Sequence, residues 1–429
     1  MSKKVAFKTL GCRLNLFETD ALASEFAKKD YQIVDFAEKA DVYVINTCTV
    51  TSMSDQKSRR VINQARRKNK DGITIVTGCM ATNYKQQLEN NDKIDYVVDN
   101  DHKTSVLSVA EAHFKGEIVS ADSFEKDLFN YEPADHTFHT RSFIKIQDGC
   151  DNFCTFCIIP KVRGRATSRP VTDVLENIKK VVEFGFKEII ITGVNIGRYN
   201  HEGTDFESLV EQMLEIQGDF RIRISSIEPD GYTESFFRLF KHPKLSPHMH
   251  ICLQSGSEEI LLKMRRMYTA KLFKEMADKL EELYPGFSLT TDIIVGFPGE
   301  TEAQFQETVD LANDIGFAHI HTFKYSVRKG TRAERLPDHV EEKEKNRRGE
   351  IIRKLSEKTR LTHRNKFIGK QQKVLIQKIT EKGYASGYGE HYIPVIIEKT
   401  GLKTNTFYDV NITSITEKDE PVLLGTLSK

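Results

Sequence analysis

The sequence predicts an α/β protein in three parts: an amino-terminal parallel-sheet domain, a central partial (β/α)6 barrel and a small carboxyl-terminal antiparallel β-barrel. Three observations carry this expectation. Short apolar runs alternate with amphipathic ones from the start to about residue 115, a second such series begins at residue 142, and from Gln372 the texture becomes short-stranded and punctuated by glycine. Alternating strand and helix implies a parallel sheet covered by helices. The 429 residues suffice for about three domains of ordinary size.

In the first part the strand candidates are VAFKTL at 5–10, DVYVIN at 41–46, ITIVTG at 73–78 and DYVVD at 95–99. Helices fit between them, over 15–29 and 52–69. A polar linker containing Pro133 follows. The second series runs through SFIKIQ at 142–147, EIIIT at 188–192, RIRIS at 221–225, MHICL at 249–253, SLTTDIIVG at 288–296 and AHIHTFKY at 318–325. Helices are expected over 172–184, 204–217, 257–284 and 301–315. This alternation suits a partial barrel, and an open doubly wound sheet fits it equally well. The last part, with KVLIQK, YASGYGEHYIPVIIE, TFYDVNITSI and PVLLGTL, reads as a small barrel. The expected boundaries are 1–115, a linker over 116–140, 141–365 and 366–429.

Composition excludes several classes. A net charge of +1, with 39% hydrophobic and 29% charged residues, belongs to neither a disordered nor a collagen-like chain. No apolar run approaches the roughly 18 residues of a membrane span, and the basic start lacks the longer apolar stretch of a secretory signal. No membrane partner is expected, and the cytoplasm is the default compartment.

Seven cysteines remain, and in such a chain close spacing points to metal or catalysis rather than disulfides. GCDNFCTFCIIP sets Cys150, Cys154 and Cys157 in a C-x3-C-x2-C run directly after a strand. Three thiolates so close can fold around one face of a cubane iron–sulfur cluster and leave its fourth iron open to chelate a substrate's amino and carboxylate groups. Structural zinc is the alternative; it wants four protein ligands, and no fourth Cys or His sits nearby in sequence. Cys12, Cys48 and Cys79 are far apart, yet TLGC, INTC and VTGC each end an apolar strand run. Strands of a parallel sheet share their carboxyl edge, where ligands bind, so these three can converge on a second cluster or can be separate core residues. Cys252, inside MHICL, reads as a core cysteine.

Two basic stretches point to nucleic acid. Residues 57–70 carry Arg59, Arg60, Arg66, Arg67 and Lys68 without an acid, and residues 345–373, including Arg353 and Arg364, lead into the small barrel. Lys and Arg contacts to phosphate supply affinity without sequence readout. Asn195, Ser226, Glu228, Gln254 and Asp292 fall at the carboxyl ends of central strands, the rim that carries chemistry in α/β barrels.

Together these strings resemble the radical S-adenosylmethionine methylthiotransferases over nearly the whole chain. GCRLN, NTCTV and TGCMA match that family's amino-terminal cluster domain. GCDNFCTFCIIPKVRG matches the radical motif, with TGVNIGRY, SSIEP, QSGSEEIL, DIIVGFPGET and YSVRKGT in support. The end resembles a TRAM domain, an RNA-binding module. TLGCRLN and TGVNIG are similar to the branch that modifies threonylcarbamoyladenosine in tRNA. Two other branches act on isopentenyladenosine in tRNA and on an aspartate of a ribosomal protein. The resemblance implies two 4Fe-4S clusters, on Cys150, Cys154 and Cys157 and on Cys12, Cys48 and Cys79. It implies two S-adenosylmethionine molecules, one as methyl donor and one as source of a 5′-deoxyadenosyl radical, with insertion at carbon 2 of the adenosine 3′ of the anticodon (tRNA position 37). Phe156 would pack near the adenine, Asn195, Ser226, Glu228 and Gln254 would contact S-adenosylmethionine, and Arg163 and Asp292 would position substrate or cofactor. The implied partners are the tRNA anticodon stem-loop, a flavodoxin- or ferredoxin-like electron donor and a sulfur source. The rival of a different class is a non-enzymatic RNA-binding protein whose cysteines hold zinc.

Overall fold

The computed structural model describes residues 2–133, 140–381, 383–398, 401–416 and 420–428. Part of the linker expected over 116–140 thus lies outside the described residues. The chain forms two compact units: residues 1–184, 192–203 and 326–334 make the first, and 185–191, 204–325 and 335–429 the second.

The first unit is built on five parallel strands: β1 (Lys4–Thr9), β2 (Gln32–Val34), β3 (Val42–Thr47), β4 (Ile73–Gly78) and β5 (Tyr96–Val98). Helices α1 (Arg13–Lys28) and α2 (Ser52–Lys68) follow β1 and β3, and the short α3 (Cys79–Asn83) follows β4. Both faces are covered, so the strands read as continuous apolar runs rather than alternating ones. Val42 and Val44 of β3 pack with Leu22, Phe26 and Val109 on one face. Tyr43 and Ile45 pack with Val61, Ile62 and Ala65 of α2 on the other. The strand order is β2-β1-β3-β4-β5. Its direction reverses between β1 and β3, and such switch points open a crevice at the carboxyl ends of the strands.

In the second unit Glu188–Ile191 pairs in parallel with Arg221–Ile224. Ser226–Ile227, His248–Ile251, Ser288–Val295 and His319–Lys324 form a parallel four-stranded sheet. The single helix expected over 257–284 is instead two, Glu258–Lys263 and Ala270–Leu283. Arg265 adopts a φ of 59°, outside helical space, and the Thr269 hydroxyl accepts from the Leu272 N–H at 3.0 Å to start the second helix afresh.

The carboxyl-terminal barrel is closed, with five strands in the order Gln371–Ile379, Tyr384–Tyr388, Pro394–Glu398, Leu423–Leu427, Phe407–Ile415. Four seams are antiparallel, as the short-strand texture leads one to expect, and the seam between Pro394–Glu398 and Leu423–Leu427 is parallel. A ring with an odd number of strands cannot alternate direction all the way round. Phe367, Val374, Ile376, Val395, Ile397 and Val410 belong to its core. Arg221 fastens the barrel to the preceding strands, donating to the carbonyls of Lys373 at 3.2 Å and Tyr388 at 3.0 Å. Among the described residues no helix is long and apolar enough to cross a membrane.

His363, on the long helix Glu342–Asn365, is buried with Nε2 at 2.9 Å from the Ser288 hydroxyl. Burial, and then the Lys366 charge, push its pKa down to about 3. The unfolded chain takes up a proton here below about pH 6.5 and the folded chain does not, so stability falls as pH drops through that window. At pH 5.5 the loss from this one group is about 1.4 kcal/mol. Denaturant titrations at pH 7.5 and 5.5 should show a gap that narrows by that amount in His363→Asn.

Candidate metal and cofactor centre

Cys12, Cys48 and Cys79 leave the carboxyl ends of β1, β3 and β4, three neighbouring strands. Thr9 pairs with Asn46 and Thr47 with Gly78, so the strands end level and the three residues emerge on one edge. Gly11 has a φ of 98°, and a Cβ there would lie 2.7 Å from the Cβ of Cys48. Only glycine lets the Cys12 backbone come so close. Asn15 pins the same edge, its Nδ2 donating to the carbonyls of Leu10 at 2.7 Å and Thr47 at 3.1 Å. The thiols feel one another's charge. Burial pushes Cys48 up to about 11, helped by Cys79 and Cys12, and Cys12 is itself exposed.

Cys150, Cys154 and Cys157 lie half-buried on the loop between Gln147–Asp148 and the short helix Ile159–Val162. Gly149 turns that loop at φ 68°, where a Cβ would meet the Arg165 carbonyl oxygen at 1.9 Å. The Cys150 N–H donates to the Gly164 carbonyl at 3.1 Å, the Cys157 N–H to the Cys154 carbonyl at 3.0 Å, and the Ile159 N–H to the Cys157 Sγ at 3.4 Å. A backbone N–H aimed at sulfur stabilises thiolate, the form a cluster requires. A cavity of about 300 Å³ opens beside Cys154 and Cys157, with Phe153, Lys161, Gly330 and Arg332 on its walls. Both cysteine sets therefore suit three-thiolate cluster ligation.

Between the two sets lies a buried knot of charge. Glu18 and Asp148 face Lys103, Lys145 and Arg163, all of them nearly inaccessible. Glu18 pairs with Lys103, with Lys145 at 3.1 Å and with Arg163 at 3.0 Å, and Arg163 reaches Asp148 at 2.9 Å. Burial alone would raise the Glu18 carboxyl, but Arg163, Lys103 and Lys145 hold it well below the usual carboxylate range. Asp148 is held low in the same way, against burial, by Arg163 and Lys145. Three cations against two carboxylates leave a positive surplus, and Arg163 feels Cys79 and Cys12 directly.

Arg163, expected to position substrate or cofactor, is thus committed to Glu18, Asp148 and the Asn15 Oδ1, the last at 2.7 Å. Asn195 is buried, and among the described residues its side-chain amide has no hydrogen-bond partner; its backbone N–H donates to the Gln147 Oε1 at 2.8 Å. Gln254 is buried at φ 65° with its Oε1 likewise unpartnered. Buried polar atoms left open in this way suit a polar ligand. Ser226 and Phe156 are half-buried, and Glu228 pairs with Arg266 at 3.1 Å. Asp292 lies 3.1 Å from the His250 Nε2, and Cys252, expected as a core residue, is half-buried with its Sγ 3.8 Å from the same carboxylate. Of the basic candidates Arg59, Arg60, Arg67 and Lys68 are exposed along α2, whereas Arg66 pairs with Asp95 at 2.6 Å. Arg353 is exposed and pairs with Glu350; Arg364 is half-buried, and burial lowers it to about 10.

Sequence reasoning missed the charge knot and Arg328. Lys145 inside the apolar run SFIKI carried a signal, since a lysine there must find a buried partner. Arg328 in YSVRKGT carried none, because its partners lie more than 270 positions away.

Residues 144–312 match the model of the radical SAM superfamily, and residues 4–99 match the uncharacterized protein family UPF0004. The chain is similar in fold to a radical S-adenosylmethionine methyltransferase, TsrM of Kitasatospora setae, with a TM-score of 0.55 at 15% identity, over 76% of this chain and 75% of that one. The central domain thus has the fold of radical S-adenosylmethionine enzymes, which implies a 4Fe-4S cluster and S-adenosylmethionine. The threonylcarbamoyladenosine tRNA methylthiotransferase MtaB of Thermotoga maritima is 36% identical over 97% of this chain and 96% of its own length. The protein of the same name from Bacillus subtilis is 37% identical over 92% and 90%. The chain belongs to the radical S-adenosylmethionine methylthiotransferases.

Two outcomes test this geometry. Glu18→Gln leaves the knot's cations underpaired in the interior, and in denaturant unfolding it should cost about 3–5 kcal/mol. Gly149→Ala forces a Cβ onto the Arg165 carbonyl, and iron retained per chain after reconstitution should fall while the far-ultraviolet circular dichroism of the whole chain is unchanged.

Proposed function

We propose that this enzyme inserts a methylthio group at carbon 2 of threonylcarbamoyladenosine, next to the anticodon of tRNA, consuming two molecules of S-adenosylmethionine. One observation carries the reading: two three-cysteine sets sit within one compact unit. The names of relatives 34–38% identical over most of the chain support the nucleoside.

Cys150, Cys154 and Cys157 would hold the cluster whose electron cleaves S-adenosylmethionine, and Cys12, Cys48 and Cys79 a second cluster carrying the sulfur to be transferred. The chain's remaining work is to bind, orient and exclude water. Phe156 would pack against the adenine, and Asn195, Gln254, Ser226 and Glu228 would take polar groups of S-adenosylmethionine. Asp292, oriented by His250, helps position the ligands. The surplus positive charge of the buried knot offsets the thiolate charge of Cys12 and Cys79. Arg59, Arg60, Arg67 and Lys68 on α2, with Arg353 and Arg364 and the TRAM-like barrel, contact phosphates of the anticodon stem-loop, whose adenosine must be splayed out to be reached. The work takes place in the cytoplasm, with an electron donor and a sulfur source.

Nucleoside mass spectrometry of tRNA from a deletion strain tests the reading. Methylthio-threonylcarbamoyladenosine should vanish, the unthiolated nucleoside should accumulate, and the intact gene should restore the product while Cys150→Ala or Cys12→Ala does not. Loss of the isopentenyl counterpart instead would overturn the nucleoside and keep the chemistry. The reconstituted protein should carry about eight iron atoms per chain and each cysteine variant about four.

A further inference from the structure

Each cysteine of the amino-terminal set is tied to the radical loop by a contact of its own. For Cys12 the tie is Asn15 and Glu18, one turn into α1, which grip Arg163. For Cys79 it is Asn100, whose Nδ2 lies 3.7 Å from the Cys79 Sγ and donates to the Val162 carbonyl at 2.7 Å. Cys79 also packs against Ile158 and Val162. Cys48 is tied from elsewhere in the chain. Its tie is the segment 326–334, which arrives from late in the chain and is counted with the first unit.

Arg328 is the anchor of that segment. It is 6% exposed, and its Nη1 donates to the Thr49 carbonyl at 3.0 Å and to the Asp55 Oδ2 at 2.7 Å. Its Nη2 donates to the Ser52 hydroxyl, while the Thr49 hydroxyl donates to the other oxygen of Asp55 at 2.6 Å. The Ser326 hydroxyl accepts from the Ser52 N–H at 3.1 Å. The whole stretch that follows Cys48 therefore closes on one guanidinium. Five residues further on, the Ala333 N–H donates at 2.8 Å to the carbonyl of Thr155, which stands between Cys154 and Cys157. The turn between these two contacts is stiff: Gly330 N–H donates to the Glu334 carboxylate at 2.7 Å, and the Thr331 hydroxyl to the Arg328 carbonyl at 2.8 Å.

We propose that Arg328 is a positioning residue that holds the Cys48 loop in fixed register with the radical loop, so that the sulfur carried on one cysteine set meets the substrate activated at the other. The proposal rests on the two-cluster reading above. Arg328 grips Thr49, Ser52 and Asp55 rather than a cysteine, so it acts on the separation of the two sets and not on the chemistry at either. A planar guanidinium satisfied by a carboxylate, a carbonyl and a hydroxyl sets both distance and angle, which an ammonium cannot.

The test uses the reconstituted full-length enzyme and its Arg328→Ala, Arg328→Lys and Asp55→Asn variants. Three quantities are read: iron per chain, methylthio product formed per 5′-deoxyadenosine released, and the dipolar coupling between the two reduced clusters by pulsed electron paramagnetic resonance. Arg328→Ala should keep its iron and its release of 5′-deoxyadenosine within about twofold, while product per 5′-deoxyadenosine falls about tenfold or more. Its distribution of cluster–cluster distances should broaden. Arg328→Lys and Asp55→Asn should fall between Arg328→Ala and the parent. An unchanged product ratio or an unchanged distance distribution in Arg328→Ala overturns the proposal, and so does loss of iron in step with activity, which would make Arg328 a support of the fold. About four iron atoms in the parent enzyme would instead defeat the two-cluster reading itself.

Discussion

Glu18 and Asp148 pair with Lys103, Lys145 and Arg163 in a nearly inaccessible interior, and the arrangement of both cysteine sets depends on that pairing. Such a knot is a poor source of net stability. Desolvating five charges costs roughly what their attraction returns, and well-packed apolar side chains of the same volume would do as well. What the charges supply is a single geometry. Arg163 follows the radical loop, Lys145 and Asp148 precede it, Glu18 stands one turn into the helix that starts at Cys12, and Lys103 lies beyond β5. Any shift of one segment against another would leave a buried charge unpaired.

The second constraint is the order of the amino-terminal sheet. Because β1 lies between β2 and β3, the chain reverses its direction of growth where Cys12 and Cys48 emerge, and the crossover helices diverge around that point. Cys79 joins them from the next strand. Three positions separated by 36 and 31 residues in the chain become neighbours through strand pairing alone. The sheet's apolar runs thus serve the site indirectly: they make the strands end level, with each cysteine within three residues of its strand's end.

The second unit carries the same logic with different contents. His250, Cys252 and Asp292 come from adjacent parallel strands and meet on one face of the sheet, with the His250 Nδ1 beside the Thr290 hydroxyl at 3.0 Å. The closed barrel hangs on Arg221 and on Arg223, whose guanidinium stacks 3.5 Å from the centre of the Tyr392 ring. The basic helix Glu342–Asn365 owes part of its charge to its own packing, since Arg348 pairs with Glu300 at 2.7 Å and Arg347 with Glu302 and Glu344.

Much of this was legible in the residues. Period and composition placed β1, β3, β4 and β5 of the amino-terminal sheet to within a residue or so, because a strand buried on both faces must be apolar throughout, and missed β2, three residues long and exposed at the sheet's edge. The spacing of Cys150, Cys154 and Cys157 declared itself, being local. The split at Met264–Thr269 did not, because one left-handed residue interrupts a helix whose apolar pattern continues across it. The sequence by itself therefore determined most of the elements, the radical loop and the cysteines that follow three strands. Only the tertiary structure decided that Arg163 faces Glu18 and Asp148, that Asn100 reaches Cys79, and that Arg328 closes on Asp55. A helix or strand is specified by neighbours in the chain, whereas the partner of a buried charge is whatever the folded backbone brings within about 3 Å of it.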